Sequence, residues 1–172
     1  KNLVLQERSE QDPLTRMANR FRLNDYAEEV FAYSQENDIP VAMEILDIDY
    51  FKEYNDNYGH QEGDRCLVSI ANTIRNLVEE AEGFCARYGG DEFVIIYANV
   101  TREQAVSFAE ELRRRVLALE IEHRFSKALP VVTISQGICW GIPRKGNRSW
   151  DFLHAADNMP VSYTHLRAHE TL

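Results

Sequence analysis

Two short apolar runs, FCARY (84–88) and EFVIIYA (92–98), are joined by Gly89-Gly90 and a pair of acids, Asp91-Glu92. Strand-like runs around a double glycine read as a β-hairpin, and the rest of the chain must pack around it. Pro40 introduces VAMEILDI (41–48), mostly apolar and of strand length, and LPVVTISQGICW (129–140) supplies a last strand. Helical periodicity covers about Arg20–Glu36, with Leu23, Ala27, Val30 and Phe31 on one face, and about Gln61–Glu80, with Leu67, Ile70, Ala71, Ile74, Leu77 and Val78. Gly83 is the expected stop of the second helix. Thr101 and Gln104 form a capping-box pattern opening a helix with Ala105, Phe108, Ala109, Leu112 and Val116 inward. Ser149 caps a short final helix bearing Trp150, Leu153 and Ala156. With the leading helix set aside, the order is β-α-β-β-α-β. That predicts an α+β fold of ferredoxin-like or palm type, a single sheet with helices on one face. The first and third strands should be central, antiparallel neighbours.

Composition narrows the partners. The 172 residues suit one domain, and 44% hydrophobic with 27% charged residues is an ordinary globular balance. The net charge of −9 excludes duplex nucleic acid held by a broad basic face, but leaves room for a small phosphate ligand with a divalent cation. No uncharged apolar run approaches the ~20 residues that cross a bilayer. Cys66, Cys85 and Cys139 are widely spaced, which points to free thiols rather than a disulfide framework or a zinc site.

The acids are the unusual feature. VAMEILDI ends in Asp47-Ile48-Asp49, and residues at i and i+2 share a face of an extended strand. Taken alone, this is equally a strand end turning into solvent, and Asp91-Glu92 equally a solvated turn whose glycines supply positive φ. Together they are less easily dismissed, because the expected sheet brings Asp47 and Asp91 to one edge, where unpaired carboxylates repel. A hard cation resolves the conflict, and Mg²⁺ favours one or two carboxylates with substrate phosphate oxygens; Mn²⁺ is the alternative. The Ile48 carbonyl could add a ligand. In FKEYNDNYGHQEGD (51–64) the turn formers Asn55, Asp56, Asn57 and Gly59 read as a loop. A lysine at a strand-to-helix turn suits a phosphate, and Asn55 with Asp64 could read a purine edge. His60 there more often satisfies a local backbone group.

RYGGDEFVII, with DIDYFKEYNDNYGHQEGD upstream, DPLTRMANR near the start and VTISQG in the last strand, resembles a bacterial GGDEF-type diguanylate cyclase domain from about Asp12 to Asn158. The resemblance implies condensation of two GTP into cyclic di-GMP with release of two pyrophosphates, in a homodimer holding one GTP per domain. It implies that Asp47, the Ile48 carbonyl and Asp91 bind Mg²⁺, with Asp91 also the base and Glu92 assisting. Lys52 stabilises phosphate charge in such a site. Asn55, His60 and Asp64 hold the nucleotide, with Phe51 and Gly89 among the substrate contacts. It further implies an upstream sensor domain and a cytoplasmic location, alone or as part of a larger membrane receptor. Neither polymeric nucleic acid nor membrane contact is expected of this segment.

Departures from the family pattern carry expectations of their own. Glu80 and Gly83 stand where an RxxD product-inhibition motif has Arg and Asp, so no such feedback site is expected. Arg16 stands where the opening motif usually has Gly. The family's last helix carries a Lys and an Arg that reach the phosphates; Thr164 and Ala168 occupy those places, and Pro160 breaks the helix. Residues 1–11 read as the end of a connecting helix, 12–158 as the catalytic domain, and 159–172 as an atypical tail foreign to it. The alternatives are a GTP-binding or signalling module of little turnover, because that helix is lost, and a palm-type polymerase fragment, which lacks the expected basic channel.

Overall fold

The computed structural model describes residues 9–157 and the backbone of 166–170. Five strands, β1 (Val41–Ile48), β2 (Phe84–Arg87), β3 (Glu92–Ala98), β4 (Ile134–Gly141) and β5 (Leu166–Glu170), form one sheet in the order β2-β3-β1-β4-β5. The first four are antiparallel neighbours, and β5 runs parallel to β4. β1 and β3 are central as expected, in a register that sets Asp47 opposite Glu92. The helices are α1 (Arg20–Asn37), α2 (Phe51–Tyr58), α3 (His60–Glu80), α4 (Arg102–Ala118) and α5 (Ser149–Asp157). Most of the connecting-helix segment 1–11, the last residue of the expected catalytic domain (158) and most of the tail (159–165 and 171–172) lie outside the described residues. Of segment 1–11, Gln11 forms an isolated bridge to Ala18.

Helices cover both faces of the sheet, not one. α3 and α4 pack on Ala42, Leu46, Ile48, Phe93, Ile95 and Ile138. Leu23, Ala27 and Phe31 of α1, with Phe152 and Ala156 of α5, pack on Val41, Met43, Ile45, Val94 and Ile96. The reason lies in β1, whose apolar residues point to both sides; such a strand needs cover on both. At α4 the expected capping box forms: Thr101 Oγ1 accepts from the Gln104 amide at 3.0 Å, and the Gln104 side chain accepts from the Thr101 amide at 2.8 Å.

Two expectations fail for tertiary reasons. The stretch after β1 is a helix, α2, despite its turn-forming residues. Tyr54 is buried and stacks on Tyr58 with ring centroids 4.7 Å apart, and this packing overrides the weak propensity of Asn55, Asp56 and Asn57. Only Gly59, at φ 90°, is the turn, and it separates α2 from α3. Gly83 is not the left-handed residue that stops α3: the helix ends at Glu80, Glu82 takes the left-handed turn, and the Gly83 amide closes the end by donating to the Val78 carbonyl at 2.8 Å. Gly83 serves close approach instead, since a Cβ there would lie 2.7 Å from the Tyr97 ring.

Arg16 has a φ of 64°, which explains why glycine is the ordinary residue at this place. Arg16→Gly is expected to stabilise the domain by up to about 1 kcal/mol, the left-handed penalty less glycine's entropy cost. Urea denaturation of the two proteins reads the difference.

Candidate active site

The central strands deliver the acids. Asp47 is the last outward residue of β1, facing Glu92 on one side and Ser135 on the other. The Ile48 amide donates to the Asp91 carbonyl at 3.3 Å, so β1 and the residue before β3 stay joined at the turn. Asp47, Asp91 and Glu92 are thereby brought to one edge. The electrostatics are those of an uncompensated acidic cluster. Asp47 reaches solvent, yet partial burial, followed by Asp49, Asp91, Glu92 and Asp157, pushes its carboxyl up to about 7. Partial burial also raises Asp91, and raises Glu92 with help from Asp157 and Asp91. Asp157, at the end of α5, is a member of this cluster that reasoning from the strands missed.

Asp49 does not share the site. It is 5% exposed and turned inward, where Thr133 Oγ1 donates to it at 2.5 Å and Ser135 Oγ donates to its other oxygen. The i, i+2 rule fails because β1 ends at Ile48 and the chain has already turned.

The glycine turn is clamped rather than left-handed: neither Gly89 nor Gly90 has a positive φ. A Cβ at Gly89 would meet Glu92 Oε1 at 2.5 Å, so a side chain there would push that carboxylate aside. Arg87 holds the loop, its Nη2 donating to the Gly90 carbonyl at 2.6 Å while Nη1 lies 3.2 Å from both carboxylate oxygens of Asp12. Asp12 in turn accepts from the Thr15 amide and hydroxyl, each at 2.8 Å. The roles of Arg87 and Asp12 are not legible in the sequence, because a clamp joining residues so distant along the chain has no local signal.

The residues expected to hold nucleotide lie on the α2–α3 elbow. Phe51 is half-buried, with its ring 6.2 Å from that of Tyr54. Lys52 is exposed and is not brought to the acids; its ammonium lies 3.1 Å from Asp56. Asn55 Oδ1 is buried without a donor, whereas His60 and Asp64 are exposed on the first turns of α3. Among the described residues no three acids, histidines or cysteines converge closely enough to hold a metal alone. Two carboxylates and the Ile48 carbonyl, open to solvent on one side, fit a hard cation whose coordination is completed by phosphate oxygens and water. Among the described residues, no helix is long and apolar enough to cross a membrane.

Comparison with known proteins identifies the family. A family model described as diguanylate cyclase, GGDEF domain, matches residues 9–163. The chain is 35% identical over 128 residues to the diguanylate cyclase DgcP of Pseudomonas aeruginosa, covering 74% of this chain and 18% of that protein. It is 32% identical over 127 residues to a diguanylate cyclase of Vibrio cholerae, covering 74% of this chain and 38% of the relative. It therefore spans well under half the length of these relatives. Among solved structures, the GGDEF domain of DgcB from Caulobacter crescentus, crystallised with c-di-GMP, superposes with a TM-score of 0.80. That match has 27% identity and covers 95% of this chain and 98% of that one. With the family model matched over most of its length, the chain belongs to the GGDEF domain family.

Proposed function

We propose that this domain is a diguanylate cyclase, joining two GTP molecules into cyclic di-GMP across a homodimer and releasing two pyrophosphates. The observation that carries the reading is the cluster of Asp47, Asp91 and Glu92 at the clamped turn of a GGDEF domain. Asp47, Asp91 and the Ile48 carbonyl hold Mg²⁺, which supplies charge neutralisation at the transferring phosphoryl group. Asp91 accepts the proton of the attacking 3′-hydroxyl, and Glu92 assists at the metal. Lys52 leaves Asp56 for a phosphate, and Asn55 and Asp64 grip guanine from the α2–α3 elbow, with Phe51, His60 and Gly89 around it. Each domain supplies one nucleotide, so two copies must face each other. GTP as substrate places the domain in the cytoplasm, downstream of a sensor in the full-length protein.

The position of the missing feedback motif supports a further expectation. Glu80 is ion-paired with Arg115 of α4 at 2.7 Å, and Arg115 also reaches Glu111 at 2.8 Å. An acid tied to the neighbouring helix offers nothing to an anionic product there. Turnover should therefore continue undiminished in micromolar cyclic di-GMP.

A second reading, GTP binding with little turnover, is favoured by Thr164 and Ala168 standing where phosphate-gripping Lys and Arg are expected. Chromatography after incubation with GTP and Mg²⁺ separates the two. Cyclic di-GMP that disappears in Asp91→Ala, with specific activity rising with protein concentration, supports the cyclase and its dimer. GTP binding without product supports the second reading, and no guanine nucleotide binding overturns both.

A further inference from the structure

The turn that joins the acids of β1 to the lysine of α2 is held by a residue far away in sequence. Tyr50 occupies this turn with a φ of 54°, a conformation that a bulky side chain adopts only when its surroundings impose it. Its carbonyl is engaged twice. The Tyr54 amide donates to it at 3.0 Å, closing the first turn of α2, and His123 Nε2 lies 2.9 Å away. A carbonyl can only accept, so Nε2 is the donor, which assigns the ring proton.

His123 comes from the segment between α4 and β4 and is completely buried. Its ring stands edge-on to Tyr54 at 5.2 Å and to Tyr58 at 6.1 Å. The segment is itself fixed, because the His123 amide donates to the Pro130 carbonyl at 2.9 Å and the Val132 amide to the Ile121 carbonyl at 2.8 Å. His123 Nδ1 is buried with no partner, so the bond to Tyr50 is the polar tie that orients the ring. One residue earlier in the turn, Asp49 is pinned from the same side by Thr133 and Ser135. The two ties bracket the peptide between Ile48 and Phe51, and so set the angle at which α2 leaves the acidic edge.

We infer that His123 is a positioning residue: its Nε2–H holds the Tyr50 carbonyl and thereby aims α2, with Lys52 and Asn55, at the nucleotide bound over Asp47 and Asp91. The consequence for GTP rests on the cyclase reading above. The consequence for the turn does not.

His123→Phe keeps a ring against Tyr54 and Tyr58 but removes the donor, whereas His123→Gln restores an N–H on a flexible stem. Two readouts are needed. Amide hydrogen exchange at residues 50–54 should accelerate roughly tenfold in His123→Phe, the scale of one lost buried hydrogen bond, and return toward the parent rate in His123→Gln. Steady-state turnover of GTP should show KM rising roughly tenfold in His123→Phe with kcat less affected, again recovered by His123→Gln. Unchanged exchange in His123→Phe overturns the inference, and so does exchange that accelerates evenly through the domain. Altered exchange in the turn with an unchanged KM overturns its link to GTP. A parent protein that does not act on GTP overturns the cyclase reading, while the exchange measurement still decides whether His123 holds the turn.

Discussion

Asp47→Asn is expected to cut turnover of GTP steeply and, in the same protein, to raise the melting temperature measured without metal. The two effects share one cause. Asp47 sits among Asp49, Asp91, Glu92 and Asp157, and burial together with these neighbours lifts its carboxyl to about 7 from an ordinary 3.8. An acid raised in this way contributes stability that is present below pH 3.8 and is lost as the pH climbs toward 7, because the unfolded chain releases the proton first. Asn has no proton to lose. Since the side chain reaches water, the relief is screened to about 1 kcal/mol. The activity loss should be roughly 10²–10³-fold, the scale of removing one preorganised electrostatic group at a transition state. Thermal melts in EDTA at pH 5 and pH 8, beside the GTP assay, check both halves. The variant's advantage should be larger at pH 8.

Glu44→Met is expected to give the largest gain in stability. Glu44 lies in the middle of β1, opposite Ile95 and Ile138, is 1% exposed, and neither of its carboxylate oxygens has a partner. Burial alone pushes it up to about 8 from 4.5. Its stability contribution is therefore intact below pH 4.5 and falls away between there and about pH 8. The loss is on the order of 3–5 kcal/mol, at about 1.4 kcal/mol per pH unit. Methionine fills the same space without a charge to desolvate, so the melting temperature at pH 8 should rise by about 10 °C. Glu44→Gln, close to isosteric, isolates the ionisation. Urea denaturation from pH 5 to pH 9 should show a downward slope in the parent that flattens in both variants; an undiminished slope in Glu44→Gln would assign it elsewhere. No catalytic role is attached to Glu44, and turnover should survive.

The same strand shows what a sequence can and cannot disclose. The bounds of β1, its central place and the meeting of Asp47 with the Asp91 turn all follow from apolar runs, a double glycine and the β-α-β-β-α-β order. Those signals are local, and the topology does the rest. Side-chain direction at the ends of elements is not local. Asp49 faces inward because two hydroxyls on the chain around β4 await it. α2 is helical because Tyr54 and Tyr58 find His123. Arg87 closes the glycine turn through Asp12, far away in sequence. Each depends on a partner that no window around the residue contains. Glu44 was hidden differently: within a mostly apolar run one carboxylate looks like an outward-facing residue until both faces of the sheet are seen to be covered.

On the proposed function, the acids of the double-glycine turn take up a divalent cation together with a nucleotide. Electron paramagnetic resonance of free Mn²⁺, titrated with the protein in the absence and presence of GTP, measures that uptake. Expected are weak depletion of the free-ion signal by protein alone, strong depletion beyond that of GTP alone when both are present, and loss of that excess in Asp47→Asn. Depletion by protein and GTP no greater than by GTP alone, or an excess that survives in Asp47→Asn, would rule out a cation held jointly by these acids and the nucleotide.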